Sequence, residues 1–142
     1  MLVQILLGLA VIVLSVVVQV IFIELTAGVL KRKFASSTPT KVHFSKFVLT
    51  LSAVTLWLLI GLLVVVTLWS VVFVLVSVFP TSEESFYFSL VAFTTLGFGD
   101  VIVPIEWRIL AGFIATNGFL LFGLNTAVLL EVMLRLRSEN GR

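Results

Sequence analysis

Three long segments that are almost free of charged side chains constrain this chain more than any other feature. The first runs from Leu2 to Ile23, the second from Phe47 to Phe79, and the third from Ile109 to Met133 with one acid, Glu131, near its end. An α-helix rises about 1.5 Å per residue and the hydrocarbon core of a bilayer is about 30 Å thick, so about 20 apolar residues span it. We therefore predict an integral membrane protein with three transmembrane helices.

Composition agrees with a membrane protein and narrows the alternatives. Of the 142 residues, 61% are hydrophobic and 11% are charged, whereas about a quarter of the residues in a soluble domain are charged. The length allows one domain, and the absence of cysteine excludes a disulfide framework and a thiolate metal site. The formal charge of +2 does not indicate nucleic-acid binding, because the basic residues flank the apolar segments.

The basic residues predict the orientation of the chain. Eight of the nine lie on two stretches, after the first and after the third apolar segment: Lys31, Arg32, Lys33, Lys41, Lys46, Arg135, Arg137 and Arg142. Loops rich in lysine and arginine stay in the cytoplasm. We therefore expect an N-terminus outside and a C-terminus in the cytoplasm, in the cell membrane.

The ends of the segments carry further signals. The first could be a cleaved signal peptide, but it has no basic start, is too long and lacks a small-residue cleavage site. We expect Pro80 to end the second helix, because proline cannot continue the hydrogen-bond ladder. Pro104 and Trp107 precede the third as a helix-start residue and an interface anchor.

A shorter helix is predicted between the second and third segments. Thr81 followed by Glu84 forms a T-x-x-E capping box, and residues 82–94 would then make a helix about 19 Å long, which reaches only part of the way across a bilayer. The polar, glycine-containing run "TTLGFGD" follows it. Irregular backbone at membrane depth must be buried in protein or line a watery cavity, so we predict a re-entrant loop.

This half-helix, "TTLGFGD" and the following span together resemble the pore module of tetrameric potassium channels, whose filter usually reads T-V-G-Y-G-D. The resemblance covers roughly residues 47–137 and is closest to the small prokaryotic channels with one pore loop per chain. It implies an all-α membrane protein with three transmembrane helices, a re-entrant pore helix and filter loop between the second and third, and a homotetramer around a central pore. Residues 1–46 would form an extra helix and a basic cytoplasmic loop, and residues 47–142 the pore domain.

The resemblance also implies where K⁺ binds. A permeating ion exchanges its water shell for a ring of fixed oxygens, which would be the hydroxyl and carbonyl of Thr95 and the carbonyls of Leu96, Gly97 and Phe98. Gly97 and Gly99 lack a Cβ atom and can therefore adopt positive φ. The partners implied are K⁺ ions, the lipid bilayer and further copies of the chain, with no nucleic acid and no cofactor beyond the permeant ions.

Several residues around the filter support it or depart from the family pattern. Thr94 and Asp100 flank the filter and would support it. Phe98 replaces a tyrosine and loses its hydroxyl, and Leu96 replaces a β-branched residue and is less stiff at χ1. Val91 stands where some members carry a glutamate that pairs with the filter aspartate. We therefore expect a looser filter and no carboxylate partner for Asp100.

Within the third segment, "GFLLFGLNTAVL" resembles the inner helix of the family. Gly118 stands where a hinge glycine is common and Gly123 follows five residues on, although close helix packing explains a glycine here equally well. Four side chains share one helical face and would line the cavity and gate: Phe119, Phe122, Thr126 and Leu130. Off that face lie Asn117, Asn125 and Glu131, for which hydrogen bonding between helices or subunits is the favoured interpretation.

Three functions remain open from the sequence. The first is a potassium-selective channel, the second a poorly selective cation channel of the same fold, and the third a subunit of a potassium transporter, which normally strings four such units along one chain. Enzymatic activity is not expected, since Asp100 and Glu106 have no histidine, metal cluster or nucleophile near them in the sequence. Glu24 and His43 are interpreted as an interfacial carboxylate and a solvated histidine rather than as pH sensors.

Overall fold

The computed structural model describes residues 1–35 and 44–140, which contain helices and no strand. Four α-helices follow one another along the chain: α1 (Leu2–Ala35), α2 (Phe44–Leu75), α3 (Ser82–Phe93) and α4 (Arg108–Asn140). A 3₁₀ turn, Ile105–Trp107, leads into α4. Three stretches are long and apolar enough to cross a membrane: Leu2–Val29, Ser45–Leu75 and Ile105–Ser138. Over these residues, the prediction of a helical protein with three helices able to span a membrane is confirmed. Lys41, His43 and Arg142 lie outside the described residues.

Helix α1 continues well beyond the predicted apolar segment. The segment was expected to end at Ile23, whereas the helix runs through Glu24 and the basic residues to Ala35. Lysine and arginine are good helix formers and no proline interrupts this stretch, so the helix can continue beyond the end of the apolar segment. The cytoplasmic end predicted for α1 is therefore helical up to residue 35.

The end of α2 differs from the prediction, and the reason is local. The helix stops at Leu75, five residues before Pro80. Ser77 adopts a left-handed conformation with φ of +54°, its N–H donates to the carbonyl of Val74 at 3.0 Å, and the N–H of Val78 donates to the carbonyl of Phe73 at 3.0 Å. This pair of bonds is the Schellman motif. Ser77 therefore ends the helix, and the expectation that Pro80 does so was wrong.

Helix α3 begins where the sequence predicted. Thr81 is its N-cap, and the side-chain oxygen of Thr81 accepts a hydrogen bond from the N–H of Glu84 at 3.1 Å. The helix has 12 residues and is therefore about 18 Å long. Thr94 closes its other end: the N–H of Thr94 donates to the carbonyl of Leu90 at 3.1 Å, and its hydroxyl donates to the same carbonyl at 2.9 Å.

An apolar core holds α3 between α2 and α4. Trp69 and Phe73 of α2 are fully buried, as is Ile114 of α4. The ring of Phe73 meets Phe79 and Phe88 edge-on, with centroid distances of 5.9 and 5.3 Å. Aromatic rings packed in this way contribute more than their buried area alone. The cluster fixes the position of the short helix, while α1 packs against α2 and α4.

Candidate functional site

The backbone from Thr95 to Gly99 alternates in the sign of φ. Thr95, Gly97 and Gly99 have φ of +60°, +56° and +79°, whereas Leu96 and Phe98 between them do not have positive φ. Such alternation is neither helix nor strand, and it favours bringing the carbonyls of successive residues to the same side of the chain. A β-branched residue such as Thr95 rarely adopts positive φ. Strain of this kind, on the order of 1–3 kcal/mol, is concentrated at functional sites.

The first residues of this stretch are tied to the last turn of α3. The N–H of Thr95 donates to the carbonyl of Ala92 at 3.0 Å, and the N–H of Leu96 donates to the carbonyl of Val91 at 3.0 Å. The N–H of Gly97 reaches the same Val91 carbonyl at 3.5 Å, which is a weak contact. The end of α3 therefore sets the direction in which the stretch leaves the helix.

Beyond these bonds the stretch is uncovered within one chain. Every residue from Thr95 to Asp100 is exposed, and the side chains of Leu96 and Phe98 are 59% and 66% exposed. A Cβ atom added to Gly97 or Gly99 would meet no atom within 4 Å. Within one chain, the requirement for glycine at these two positions therefore comes from φ and not from the space around them.

Asp100 has a partner that the sequence pattern did not predict. The hydroxyl of Tyr87, on α3, donates to Oδ2 of Asp100 at 2.5 Å. This hydrogen bond lowers the pKa of Asp100 below its ordinary value, with help from the backbone N–H groups of Asp100 and Val101, and it raises the pKa of Tyr87. Val91 offers no carboxylate, as expected. Tyr87 lies one turn before Val91 on the same face of α3, and this spacing makes Tyr87 a candidate partner for Asp100.

The four side chains predicted to line a cavity lie on one open stripe of α4. Phe119 is 74% exposed and Leu130 50%, and Phe122 and Thr126 are also exposed. Within the described part of the chain, the stripe is largely open, and Phe122 is its least exposed phenylalanine. The ring of Phe122 contacts that of Phe93 at the end of α3, with centroids 5.6 Å apart. The stripe and the end of α3 are therefore neighbours.

Gly118 is in close contact with the backbone of α3. A Cβ atom added to it would lie 2.7 Å from the carbonyl carbon of Phe93 and closer still to the carbonyl oxygen. Around Gly123, by contrast, nothing lies within 4 Å. This contact supports close packing as one reason for Gly118, and a hinge at either glycine stays a prediction.

The polar residues off the stripe have different surroundings. Asn117 is fully buried and its amide has no hydrogen-bond partner within the described part of the chain. Asn125 is also buried and accepts a hydrogen bond from Gln19 of α1 at 2.7 Å. Glu131 is exposed and forms an ion pair with Arg135 one turn along α4. Glu24 is exposed on α1. Of these, only the Asn125 bond joins two described helices, and Gln19 was not among the predicted residues.

Comparison with known proteins identifies the family. No curated protein and no solved structure is significantly similar to the chain. Residues 60–135 match the family described as ion channel, which is more than half of the chain and runs from the middle of α2 nearly to the end of α4. Every residue predicted to form the filter, its support, the hinge or the cavity lies within this range. The resemblance to potassium-channel pore domains is confirmed, and the chain belongs to the ion channel family of two-span pore domains.

Proposed function

We propose that the protein is a potassium-selective channel in which four copies of "TTLGFGD" surround the conducting path. The observation that carries the proposal is the alternation of φ at Thr95, Gly97 and Gly99, in an exposed stretch that follows a half-span helix within an ion channel domain. A ring of carbonyls from this stretch replaces the hydration shell of K⁺. Side-chain charge is not needed for this chemistry.

Each residue of the stretch then has a role. The ligands of K⁺ are the hydroxyl and carbonyl of Thr95 and the carbonyls of Leu96, Gly97 and Phe98, and Gly99 allows the last turn of the filter. Thr94 supports the inner end through its bonds to the last turn of α3, and Asp100 supports the outer end through Tyr87. Helix α3 serves as the pore helix, and the partial negative charge at its C-terminus favours a cation at the filter.

Assembly into a homotetramer follows from what one chain leaves uncovered. Irregular backbone inside a membrane cannot face lipid, because lipid offers no hydrogen bonds to its N–H and C=O groups. The stretch from Thr95 to Asp100 is exposed in the single chain, and so are Ile102 and the stripe of α4. Three further copies would cover these surfaces and close the ring of carbonyls. Phe119, Phe122, Thr126 and Leu130 would then line the cavity and the inner gate.

The remaining assignments are part of the same proposal. Residues 47–142 form the pore domain and residues 1–46 an additional helix with a cytoplasmic connection. Gly118 and Gly123 are the places where α4 bends during gating. The N-terminus lies outside the cell and the C-terminus in the cytoplasm, by the distribution of basic residues. A protease site inserted at residues 36–40 should therefore be cleaved only from the cytoplasmic side.

A poorly selective cation channel is the second candidate, and two side chains of the proposed filter support it. Leu96 and Phe98 are both largely exposed, and Phe98 has no hydroxyl with which to bond to groups behind the filter. A filter supported in this way can deform around ions of different size. A transporter subunit is less well supported, since the family that matches residues 60–135 is described as ion channel.

Ion flux distinguishes these candidates. The purified protein in liposomes should pass K⁺ much faster than Na⁺, and Ba²⁺, which is close to K⁺ in size but doubly charged, should block it. Light scattering in mild detergent should give the mass of four chains. Equal K⁺ and Na⁺ flux would identify the poorly selective channel, and a stable monomer or dimer would exclude both.

A further inference from the structure

Helix α1 carries a stripe of polar and small residues that faces the protein. Gly8, Val11, Ser15, Gln19 and Thr26 are all buried, and their spacing places them on one face of a helix. This face packs against α2 and α4. A helix that only crossed the lipid would gain nothing by carrying two glutamines. The stripe therefore indicates specific attachment of α1 to the pore domain.

Gln19 lies where three helices meet. Its side-chain N–H donates to Oδ1 of Asn125 on α4 at 2.7 Å. Its side-chain oxygen lies over Gly61 of α2, where an added Cβ would be only 2.8 Å from it. Gln19 is 0% exposed and Asn125 6%. Because both amides are buried, breaking the bond between them would leave further polar groups without partners.

The attachments of α1 fall on both sides of Gly118 and Gly123, the two glycines of α4 proposed as places where it bends. On one side, the side-chain N–H of Gln4 donates to the carbonyl of Glu106, and the ring of Phe113 packs against Gly8. On the other side, Gln19 binds Asn125, which comes seven residues after Gly118 and two after Gly123. A straight helix joined to α4 at both places opposes bending at either glycine. Bending would move Asn125 away from a partner fixed on α1.

We propose that α1 stabilises one conformation of the inner helix, α4, and that Gln19 is a positioning residue of the gate. The bond from Gln19 to Asn125 stabilises the conformation of α4 seen here, and it breaks when α4 bends. Asn125 precedes Thr126 of the cavity stripe, so the bond also fixes the direction in which Thr126 points. This proposal rests on the proposed function, since it concerns gating of a channel.

Single-channel recordings of the full-length protein in bilayers test the proposal with Gln19→Leu, Asn125→Leu and the double variant. Either single change should shift the open–closed equilibrium in the same direction by about threefold per subunit, the size of an average hydrogen bond between membrane helices. The double variant should shift it no further than one single change, because both remove the same bond. The ratio of K⁺ to Na⁺ permeability should not change.

Two further variants keep the test independent of folding. Exchanging the amides, Gln19→Asn with Asn125→Gln, should restore the equilibrium of the parent. Gly61→Ala should shift the equilibrium in the same direction as Gln19→Leu, because the new methyl group displaces the side-chain oxygen of Gln19 and also the ring of Phe22. Ser15→Ala and Gly28→Ala serve as matched controls on α1, since Ser15 donates only to Val11 of its own helix and nothing lies within 4 Å of Gly28.

The possible results separate the two proposals. Suppose that the parent protein passes K⁺. If the double variant then shows additive effects, or if neither single change alters the open probability, the proposed role of α1 is wrong and the proposed channel function is retained. If the parent assembles in liposomes but passes no cation, the proposed function is wrong, and so is the proposed role of α1 in gating.

Discussion

The stretch from Thr95 to Asp100 and the buried face of α1 are both polar regions of a membrane protein, but their polar groups lie in opposite surroundings. The stretch is exposed and has positive φ at three of its residues. The face of α1 is regular helix, and its polar side chains are buried against α2 and α4. Within one chain, the first region is left uncovered, and the second uses its amides in contacts between helices.

The two regions also differ in whether backbone or side-chain atoms make the important contacts. In the proposed filter the backbone would be the functional group, so the residue type would matter through the φ that it allows. In α1 the backbone is already satisfied by the helix, and the side chains of Gln4 and Gln19 make the contacts. Substitutions in the first region should therefore alter conduction, and substitutions in the second should alter the attachment of α1 and the gate.

Gly97→Ala should have the largest effect. The residue has φ of +56° with open space around it, so the added methyl group is unfavourable only because of backbone conformation, by about 1 kcal/mol or more in each subunit. Thr95 tolerates a similar φ because its N–H is bonded to Ala92 at 3.0 Å, whereas the N–H of Gly97 has only a 3.5 Å contact. Potassium flux into liposomes should fall to background while the tetramer still assembles.

Gly112→Ala is the matched control for this prediction. It also adds a methyl group where nothing lies within 4 Å, but it lies inside α4, where alanine is favoured over glycine. Flux through this variant should equal that of the parent. If Gly97→Ala conducts K⁺ over Na⁺ as the parent does, with Ba²⁺ block intact, the stretch is only a turn.

Gly118→Ala should have the next largest effect, on stability as well as on flux. The added methyl group would collide with the backbone of Phe93, and backbone cannot rotate away as a side chain can. Overpacking of this kind costs about 1–3 kcal/mol, against a gain of up to about 1 kcal/mol in helix propensity. Thermal unfolding in detergent should occur at a lower temperature than in the parent.

Gly123→Ala separates packing from bending. It has nothing within 4 Å, so its thermal stability should equal or exceed that of the parent. If Gly118→Ala is as stable as Gly123→Ala and alters only the open probability, bending rather than packing explains the glycine.

The helices on either side of "TTLGFGD" were predictable because their signals are local, and the filter itself stays a prediction. The motif, the Thr81 cap and the three apolar segments all depend on residues close together in sequence, and the structure has the corresponding helices. The end of α2 was missed because serine rarely takes the left-handed conformation that Ser77 adopts. The bond between Tyr87 and Asp100 needs the path of the loop between them, which no spacing rule supplies.

The attachment of α1 was predictable from the sequence only in part. The spacing of Gly8, Ser15 and Gln19 marks one face of the helix, and could have been noticed in an otherwise apolar segment. Which helix that face meets depends on how α1 packs in space. The bond from Gln19 to Asn125 spans 106 positions in sequence, and the periodicity of either helix alone does not identify the partner.

Tyr87→Phe should have a moderate, pH-dependent effect at the outer end of the filter. The pKa of Asp100 is lowered by the hydroxyl of Tyr87, so the bond stabilises the folded protein fully above the ordinary pKa of an aspartate. That contribution is lost as the pH falls through the lowered pKa. The raised pKa of Tyr87 means that the contribution is also lost at alkaline pH, as the pH rises through it. Between these limits the contribution of this pair to stability should be present in full and should not vary with pH.

The variant should therefore titrate differently in acid. Carboxyl-carbon NMR should find the pKa of Asp100 higher than in the parent, and the loss of thermal stability on acidification should be smaller. Thr55→Val is the matched control, because the hydroxyl of Thr55 donates only to Leu51 of its own helix and its loss should not depend on pH. An unchanged pKa of Asp100 in Tyr87→Phe would contradict the bond.

Trp57→Phe should have the smallest effect, although it removes a hydrogen bond between α1 and α2. The indole N–H of Trp57 donates to the carbonyl of Phe22 at 3.1 Å, but the hydroxyl of Thr26 donates to the same carbonyl at 2.9 Å. Loss of the indole therefore leaves no carbonyl without a partner. Phenylalanine also keeps a ring against Phe22, whose centroid lies 5.0 Å from that of Trp57. The destabilisation should be about 0.5 kcal/mol, or a few degrees at most in thermal unfolding.

Removing both donors should reveal what the pair contributes. Thr26→Val with Trp57→Phe leaves the carbonyl of Phe22 with only its bond inside the helix, so the double variant should lose more stability than the sum of the two single changes. Such an excess would mean that polar contacts hold α1 to α2, as the bond from Gln19 to Asn125 holds α1 to α4. A strictly additive and small loss would mean that ring packing and the close approach at Gly61 hold the two helices together, and that α1 depends on specific hydrogen bonds only where it meets α4.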